Sequence, residues 1–189
     1  MKVLFIQPPY QTHVVNPPLG MGYLMSYLRM KGHNVSLIDL NLRHRSREKI
    51  ASMLREVSPD IVGVSVMCTG APTVKSIVEI VKSTIRVPVM VGGAQASALP
   101  EHTLIYTGAD FAVIGEGEET TAELVSFLES GKDPSSILGL AINKGGIIKV
   151  NKRRPLIEDL DSLPFPAWDL MPPKKYRIAP YLARPENTR

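Results

Sequence analysis

The stretch from Val87 to Gln95, VPVMVGGAQ, constrains the fold more than any other part of the sequence. A strand this uniformly apolar is covered on both faces, as strands of parallel α/β sheets are. The two glycines that follow it leave room for a ligand at the carboxyl end of the strand, although a tight turn alone would also use glycine. The stretch therefore predicts a buried parallel strand that ends at a candidate binding edge.

Strand and helix patterns alternate over the first two thirds of the chain. Short apolar runs between turn residues predict five strands, and apolar residues at helical spacing predict five helices. The predicted strands are Lys2–Ile6, Asn34–Leu40, Asp60–Val66, Val87–Val91 and Ala109–Ile114, and the helices are Leu19–Met30, Ser46–Val57, Thr73–Ile85, Leu99–Tyr106 and Glu118–Glu129. This alternation predicts an α/β fold, a doubly wound five-stranded parallel sheet in the flavodoxin-like order 2-1-3-4-5.

The pattern changes after residue 136. Two short apolar runs flank Lys144-Gly145-Gly146 and predict a β-hairpin within residues 137–154. From residue 155 onward prolines recur without periodicity, which predicts an extended linker over a surface, leading towards a further module. Its apolar side chains are expected to pack against the sheet domain, or against the barrel of the parent enzyme: Leu163, Phe165, Trp168 and Leu170. The predicted organisation is a sheet domain over 1–136, a hairpin extension over 137–154 and a proline-rich linker over 155–189.

Composition excludes several classes of function. The 189 residues are 44% hydrophobic and 21% charged, which is typical of one globular domain with its own core. The apolar run at Met1 is too short for a signal peptide, and no stretch approaches membrane-spanning length, so we expect a cytoplasmic protein with no membrane partner. The net charge of +4 resides in the tail, because residues 1–136 carry 12 basic and 13 acidic side chains. No basic face for nucleic acid is predicted.

The predicted strand ends gather small and polar residues at one edge of the sheet. Strand one ends in Gln7-Pro8-Pro9, and strand three runs into the segment from Ser65 to Gly70. Strand four ends in Gly92-Gly93-Ala94-Gln95, and strand five in Gly115-Glu116-Gly117-Glu118. Carboxyl ends of neighbouring parallel strands meet at the same rim, where ligands bind in open α/β sheets. A binding cleft is therefore predicted at this rim.

Four common functional motifs are not supported by the sequence. Gly20-Met21-Gly22 imitates a dinucleotide fingerprint, but Met25 occupies the third glycine position and the motif does not follow the first strand directly. A phosphate-accepting receiver domain would need an aspartate where strand three ends in Ser65-Val66. The sequence also contains no Walker A lysine pattern and no Gly-x-Ser-x-Gly elbow.

Several motifs occur in a fixed order along the chain. They are Pro17-Pro18-Leu19-Gly20 with Tyr23-Leu24, Gly32 and Asp39, then Gly92-Gly93, then Asp110 with Gly115-Glu116-Gly117-Glu118-Glu119-Thr120. In this order they resemble the N-terminal cobalamin-binding domain of B12-dependent radical SAM enzymes. The stretch LDSLPFPAWD at 160–169 is similar to the linker that leads into the catalytic barrel of those enzymes.

The resemblance implies that cobalamin binds at the rim. The corrin ring would lie over the turns after strands one and three, and the nucleotide tail would lie near Ser65, Gly92 and Gly93. Hydroxyls and backbone amides suit a phosphate-bearing tail, whereas Glu116 is expected to cap the next helix or to bind amide or ribose groups. The implied cofactor-binding residues are Pro9, Tyr10, His13, Ser65, Met67, Thr69, Gly92, Gly93, Gln95, Gly115, Glu116 and Gly117.

Two features depart from the family pattern. Many cobalamin domains ligate cobalt through Asp-x-His-x-x-Gly, and here the stretch from Gln11 to Asn16 retains only His13, so no metal ligand is assigned. The Cys-x-x-x-Cys-x-x-Cys motif is absent, and the single cysteine, Cys68, cannot hold an iron–sulfur cluster. The 4Fe-4S cluster and S-adenosylmethionine would therefore belong to a radical SAM barrel of the parent chain.

Three functions remain open at this stage. The resemblance favours a segment that binds cobalamin without catalysis, within a parent methyltransferase that uses methylcobalamin. A second reading is a degenerate flavodoxin-like domain with an interaction or structural role and no cofactor. A third is a small-molecule enzyme, for which His13, Glu116 and Glu118 are the titratable candidates at the rim.

Overall fold

One mixed sheet organises the computed structural model, which describes residues 1–9, 15–42 and 46–176. The sheet has seven strands in the order β2-β1-β3-β4-β5-β6-β7. The first five strands run parallel, and β6 and β7 continue the sheet antiparallel. The strands are β1 Lys2–Gln7, β2 Asn34–Asp39, β3 Ile61–Ser65, β4 Val89–Gly92, β5 Phe111–Val113, β6 Leu140–Lys144 and β7 Ile147–Val150.

The prediction of an α/β, flavodoxin-like fold is confirmed, but the five-stranded sheet is wrong in extent. The order 2-1-3-4-5 is present only as part of a longer sheet, because the hairpin pairs with β5 through Ala112 and Ala141. Leu140, Ala141 and Ile142 are all buried, so β6 is covered on both faces like an interior strand. The hairpin therefore continues the sheet instead of standing beside it.

Helices cover both faces of the sheet. They are α1 Leu19–Met30, α2 Arg47–Val57, α3 Ala71–Thr84, α4 Ala94–Ala98, α5 Pro100–Thr107 and α6 Glu118–Glu129. Side chains of α2, α3 and α5 form one hydrophobic core against the sheet, and side chains of α1 and α6 form the other. In the described ranges no helix combines the length and apolar character needed to cross a membrane.

After β7 the chain crosses the α1 face as an irregular segment, residues 152–176, which we call the strap. Ala167, Met171 and Tyr176 are buried in the same core as α1 and α6. Phe165 and Trp168 do not pack into the core of the sheet domain, since these side chains are 86% and 40% exposed. The alternative that they pack against a barrel of the parent enzyme stays a prediction. Leu163 and Leu170 are half-buried, and Leu170 packs against the core as predicted.

The strap docks where α1 lacks a side chain. A Cβ on Gly22 would lie 2.9 Å from Cβ of Pro166 and closer still to the Met171 methyl, so only glycine leaves room for both. The Ala167 N–H also donates to the Gly22 carbonyl oxygen at 3.1 Å. This close approach leaves room at Gly22 only for small or flexible side chains of the strap.

Candidate functional site

A cleft of about 450 Å³ opens at the carboxyl ends of β1, β3, β4 and β5, on the α1 and α6 side of the sheet. Its floor is made of strand residues, one wall is the beginning of α1, and the other wall is the loop from β5 into α6. The floor includes Phe5, Gln7, Gly63, Val64, Ser65, Met90, Val91, Gly92 and Val113. The walls and rim include Pro18, Leu19, Gly20, Met21, Leu24, Met67, Gly93, Gly115, Glu116, Gly117, Glu118 and Thr121.

Glycines on the central strands shape the floor. A Cβ on Gly63 would lie 2.8 Å from the Phe5 ring and 2.9 Å from the Met90 methyl, so glycine allows these side chains to approach over β3. Gly92 is different, because the nearest atom to an added Cβ is 3.8 Å away, on Val113. Gly92 pairs with Val113 across the sheet, so a side chain at position 92 would project into the cleft beside it.

Gly93 is required by its backbone conformation. Its φ of 110° lies in the region that glycine alone adopts readily, and an added Cβ would lie 3.0 Å from the carbonyl oxygen of Val66. The turn thus brings β4 and the segment after β3 together at the rim. Gly115, with φ of 78°, makes the corresponding turn after β5 and donates its N–H to Ser97 Oγ at 2.9 Å.

The polar side chains of the cleft are uncharged or acidic. Gln7, Ser65 and Thr121 supply amide and hydroxyl groups, and Glu116 and Glu118 supply carboxylates, with no basic side chain among the described lining residues. Burial raises the pKa of the Glu118 carboxyl above its ordinary value, and the charge of Glu116 raises it further. The cleft therefore disfavours ligands with dense negative charge and offers acceptors to N–H donors.

Glu116 has a partner outside the cleft. Its Oε2 accepts the backbone N–H of Ile157 in the strap at 2.6 Å. Gly117 is the N-cap of α6, and the hydrogen bond described for Glu116 goes to the strap rather than to an α6 amide, so the capping expected of Glu116 is not seen, and its binding of amide or ribose groups stays a prediction. The carboxylate instead links the cleft wall to the strap, a contact between residues 41 positions apart that local pattern cannot reveal.

The structure brings together seven of the residues that the sequence proposed. Ser65, Met67, Gly92, Gly93, Gly115, Glu116 and Gly117 all line the cleft. Thr69 is exposed in a short turn beyond Met67, and Pro9 is half-buried after β1. Gln95 is buried below the rim without lining the cleft, and its side-chain oxygen has no hydrogen-bond partner among the described residues.

Tyr10 and His13 lie outside the described residues, so their expected roles stay predictions. Within the described ranges, no group of three or more His, Cys, Asp or Glu side chains is placed to hold a metal ion. Cys68 is exposed in the turn after β3.

Sequence reasoning missed the deep part of the cleft. Phe5, Gly63 and Met90 form its floor, and Leu24 and Thr121 face it from the helices. One signal was available, because an interior glycine in the apolar run Ile61-Val62-Gly63-Val64 marks a close approach of other groups to the strand. The other positions depend on which strands become neighbours, which the local sequence does not specify.

Comparison with known proteins assigns the family. The model of the B12 binding domain family matches residues 11–125, more than half of the chain. An uncharacterized methyltransferase from Pyrococcus horikoshii is 34% identical over 185 residues, covering 94% of this chain and 40% of that protein. The chain therefore spans well under half the length of this relative.

Two solved structures share the fold of this chain. TsrM from Kitasatospora setae, a radical S-adenosylmethionine methyltransferase with cobalamin and a [4Fe-4S] cluster bound, has a TM-score of 0.75 and 24% identity over 87% of this chain and 31% of its own. OxsB, a cobalamin-dependent S-adenosylmethionine radical enzyme with aqua-cobalamin bound, has a TM-score of 0.78 and 22% identity over 90% of this chain and 24% of its own. At these identities the two structures support the fold, whereas the family model identifies this chain as a member of the B12 binding domain family.

Proposed function

We propose that this segment binds cobalamin, with the corrin ring over the rim and the nucleotide tail in the cleft. The observation that carries the proposal is an apolar cleft, open beneath a glycine rim, at the strand ends of a B12 binding domain. Its volume of about 450 Å³ is too small for the whole cofactor but suits a nucleotide-sized group. The wide corrin would then rest outside, against the turns that carry Met67 and Gly93.

The chemistry of the cleft fits cobalamin better than flavin mononucleotide. The floor offers Phe5 and Met90 to a flat aromatic base, and Ser65 offers a hydroxyl at the rim. A flavin mononucleotide carries a phosphate dianion, which the carboxylates of Glu116 and Glu118 would repel. Cobalamin carries a single phosphodiester charge and a fringe of carboxamides, whose N–H groups these carboxylates can accept.

The parent protein, in this proposal, is a B12-dependent radical SAM methyltransferase. When bound, cobalamin supplies a cobalt atom that carries and releases a methyl group. The residues of this segment would hold and orient the cofactor and exclude water from its tail. The 4Fe-4S cluster and S-adenosylmethionine would bind to a radical SAM barrel outside the present sequence, since Cys68 is its only cysteine.

A corrin-binding assay tests the proposal on the chain itself. The purified protein is incubated with hydroxocobalamin and passed through gel filtration, and the absorbance spectrum of the protein peak is recorded. We expect corrin absorbance to co-elute with the protein, and flavin mononucleotide at the same concentration to elute separately. A protein peak without corrin absorbance would favour the alternative of a degenerate interaction domain.

A further inference from the structure

The two walls of the cleft are in direct contact. Leu24 of α1 packs against Gly117 in the β5–α6 loop, where a Cβ on Gly117 would lie 3.0 Å from the Leu24 methyl. Both residues line the cleft. Because protein interiors are close-packed, a shift of either wall at this contact changes the width of the cleft.

The strap is fastened to the β5–α6 wall. Glu116 in this wall accepts the Ile157 N–H at 2.6 Å, and Arg154 donates from Nε to Oγ1 of Thr120 at 2.9 Å. The Arg154 guanidinium also pairs with Glu123 on the next turn of α6. Hydrogen bonds to charged groups are about twice as strong as neutral ones, so the bond to Glu116 is a firm attachment.

The same strap is fastened to the α1 wall. The Ala167 N–H donates to the Gly22 carbonyl oxygen at 3.1 Å, and Met171 is buried beside Gly22. Further along α1, Arg29 makes a two-fold hydrogen bond with the carboxylate of Asp169, at 2.8 and 2.9 Å. Residues 157–167 therefore join one wall of the cleft to the other.

We propose that the strap is a working part of the cofactor site, with Glu116 as its positioning residue. The bond from the Ile157 N–H to Glu116 sets the separation of the two walls, so cobalamin in the cleft and order in the strap stabilise each other. This inference rests on the proposed function. The coupling is reciprocal. If the fastened strap raises the affinity of the chain for cobalamin, bound cobalamin must stabilise the fastened strap by the same free energy.

Hydrogen exchange of the full chain tests one direction of the coupling. The exchange rate of the Ile157 amide is measured with and without hydroxocobalamin, and the Gly146 amide in the distant hairpin turn, bonded to Asn143 at 2.8 Å, serves as the internal control. We expect the cofactor to slow exchange at Ile157 by roughly five-fold or more and to leave Gly146 unchanged. An Ile157 amide that exchanges at the same rate in both states contradicts the coupling.

Substitution from the strap side tests the other direction. Ile157→Pro removes the N–H that Glu116 accepts, whereas Ile157→Ala keeps it and shortens the side chain, which lies outside the cleft. We expect Ile157→Pro to weaken hydroxocobalamin binding by roughly five-fold or more, and Ile157→Ala to bind like the parent chain. Glu116→Met should weaken binding too, and the double variant should lose less than the product of the two single losses, because both remove one interaction.

The outcomes separate this inference from the function on which it rests. If the parent chain binds no corrin, the proposed function fails and the coupling fails with it. If the parent binds but Ile157→Pro binds equally well while its strap exchanges faster, only the coupling is wrong. If the affinity lost in the double variant equals the product of the two single losses, Glu116 acts on the cofactor independently of the strap. That result also overturns its positioning role.

Discussion

Single residues of the cleft show three different reasons for the absence of a side chain. Gly63 admits Phe5 and Met90 over the strand, Gly92 leaves open space, and Gly93 holds a backbone conformation that other residues avoid. The sequence indicates the glycine pair, because it directly follows an apolar strand. It cannot tell at which of the two an added side chain would enter the cleft, since that depends on Val113 in the neighbouring strand.

Exchanging each glycine of the pair should separate binding from folding. Gly92→Val places methyl groups in the cleft, where the atom nearest to an added Cβ is 3.8 Å away. We therefore expect hydroxocobalamin no longer to co-elute with the protein, and the free energy of unfolding to change by less than about 1 kcal/mol. Gly93→Val strains the backbone and should cost about 1–3 kcal/mol in urea unfolding. Equal losses of stability in the two variants would contradict this assignment.

Glu118 should make stability depend on pH. Its pKa is raised in the folded chain, first by burial, so the native state holds a proton that the unfolded chain releases above the ordinary value of 4.5. The free energy of unfolding therefore falls as the pH rises from 4.5 through the raised pKa of Glu118 in the folded chain. Glu118→Gln removes the charge, and we expect it to stabilise the chain in urea unfolding at pH 7 and to have little effect at pH 4. Glu158→Gln, an exposed substitution in the strap, is the control, and a Glu118→Gln gain that is the same at both pH values would contradict the prediction.

At the scale of elements, local pattern predicts what local interactions determine. All five predicted parallel strands and the five longer helices are present, with boundaries shifted by up to two residues, as at β4, which begins at Val89 after Pro88. The five-residue helix α4 was missed because so short a segment carries no periodicity. The pairing of β6 with β5 was missed because it joins residues about thirty positions apart, such as Ala112 and Ala141.

Two helix ends offer a test of local strain. Ser58 after α2 and Arg86 after α3 have φ values of 46° and 53°, and each donates its N–H back to a helix carbonyl, of Leu54 and Val81. A left-handed conformation costs a non-glycine residue about 1–2 kcal/mol, which substitution by glycine would relieve. Glycine also makes the unfolded chain more flexible, and this entropy offsets about 0.5–1 kcal/mol of the relief. Ser58→Gly and Arg86→Gly should therefore each raise the free energy of unfolding by about 0.5–1 kcal/mol.

The reverse exchange after α5 is the control for these helix ends. Gly108 has φ of 72°, so Gly108→Ala should lower stability by about 1 kcal/mol in the same urea titration. Arg86 lies at the opposite end of the strands from the cleft, so Arg86→Gly should leave hydroxocobalamin binding unchanged. If Ser58→Gly and Arg86→Gly both lower the free energy of unfolding, the left-handed conformations of Ser58 and Arg86 are not strained.

At the scale of the whole molecule, the strap joins the sheet domain to form one folded unit. The sequence predicts docking through Leu163, Leu170 and two aromatic residues, and of these Leu170 packs against the core whereas Phe165 and Trp168 are exposed. The anchors are Ala167 and Met171, and Tyr176, whose hydroxyl donates to Asp39 at 2.8 Å. Burial and this hydrogen bond both raise the pKa of Tyr176, so the phenol stays protonated and keeps the bond. The shape of the surface on which a segment packs decides which of its residues become anchors. Here that shape is the space left by the missing side chain of Gly22, which the composition of the segment does not reveal.

A matched pair of substitutions tests whether strap and sheet unfold together. Met171 is fully buried against Gly22, so Met171→Ala should lower the free energy of unfolding by about 2–4 kcal/mol. Phe165 is 86% exposed in the same segment, so Phe165→Ala should change the free energy of unfolding by less than about 0.5 kcal/mol despite removing a larger side chain.

Because strap and sheet share one core, both variants should unfold in a single transition detected equally by circular dichroism and by the fluorescence of Trp168. A separate early transition in the Trp168 signal would mean that the strap is released before the sheet unfolds, and a loss at Phe165 as large as that at Met171 would mean that its docked face is not the one described.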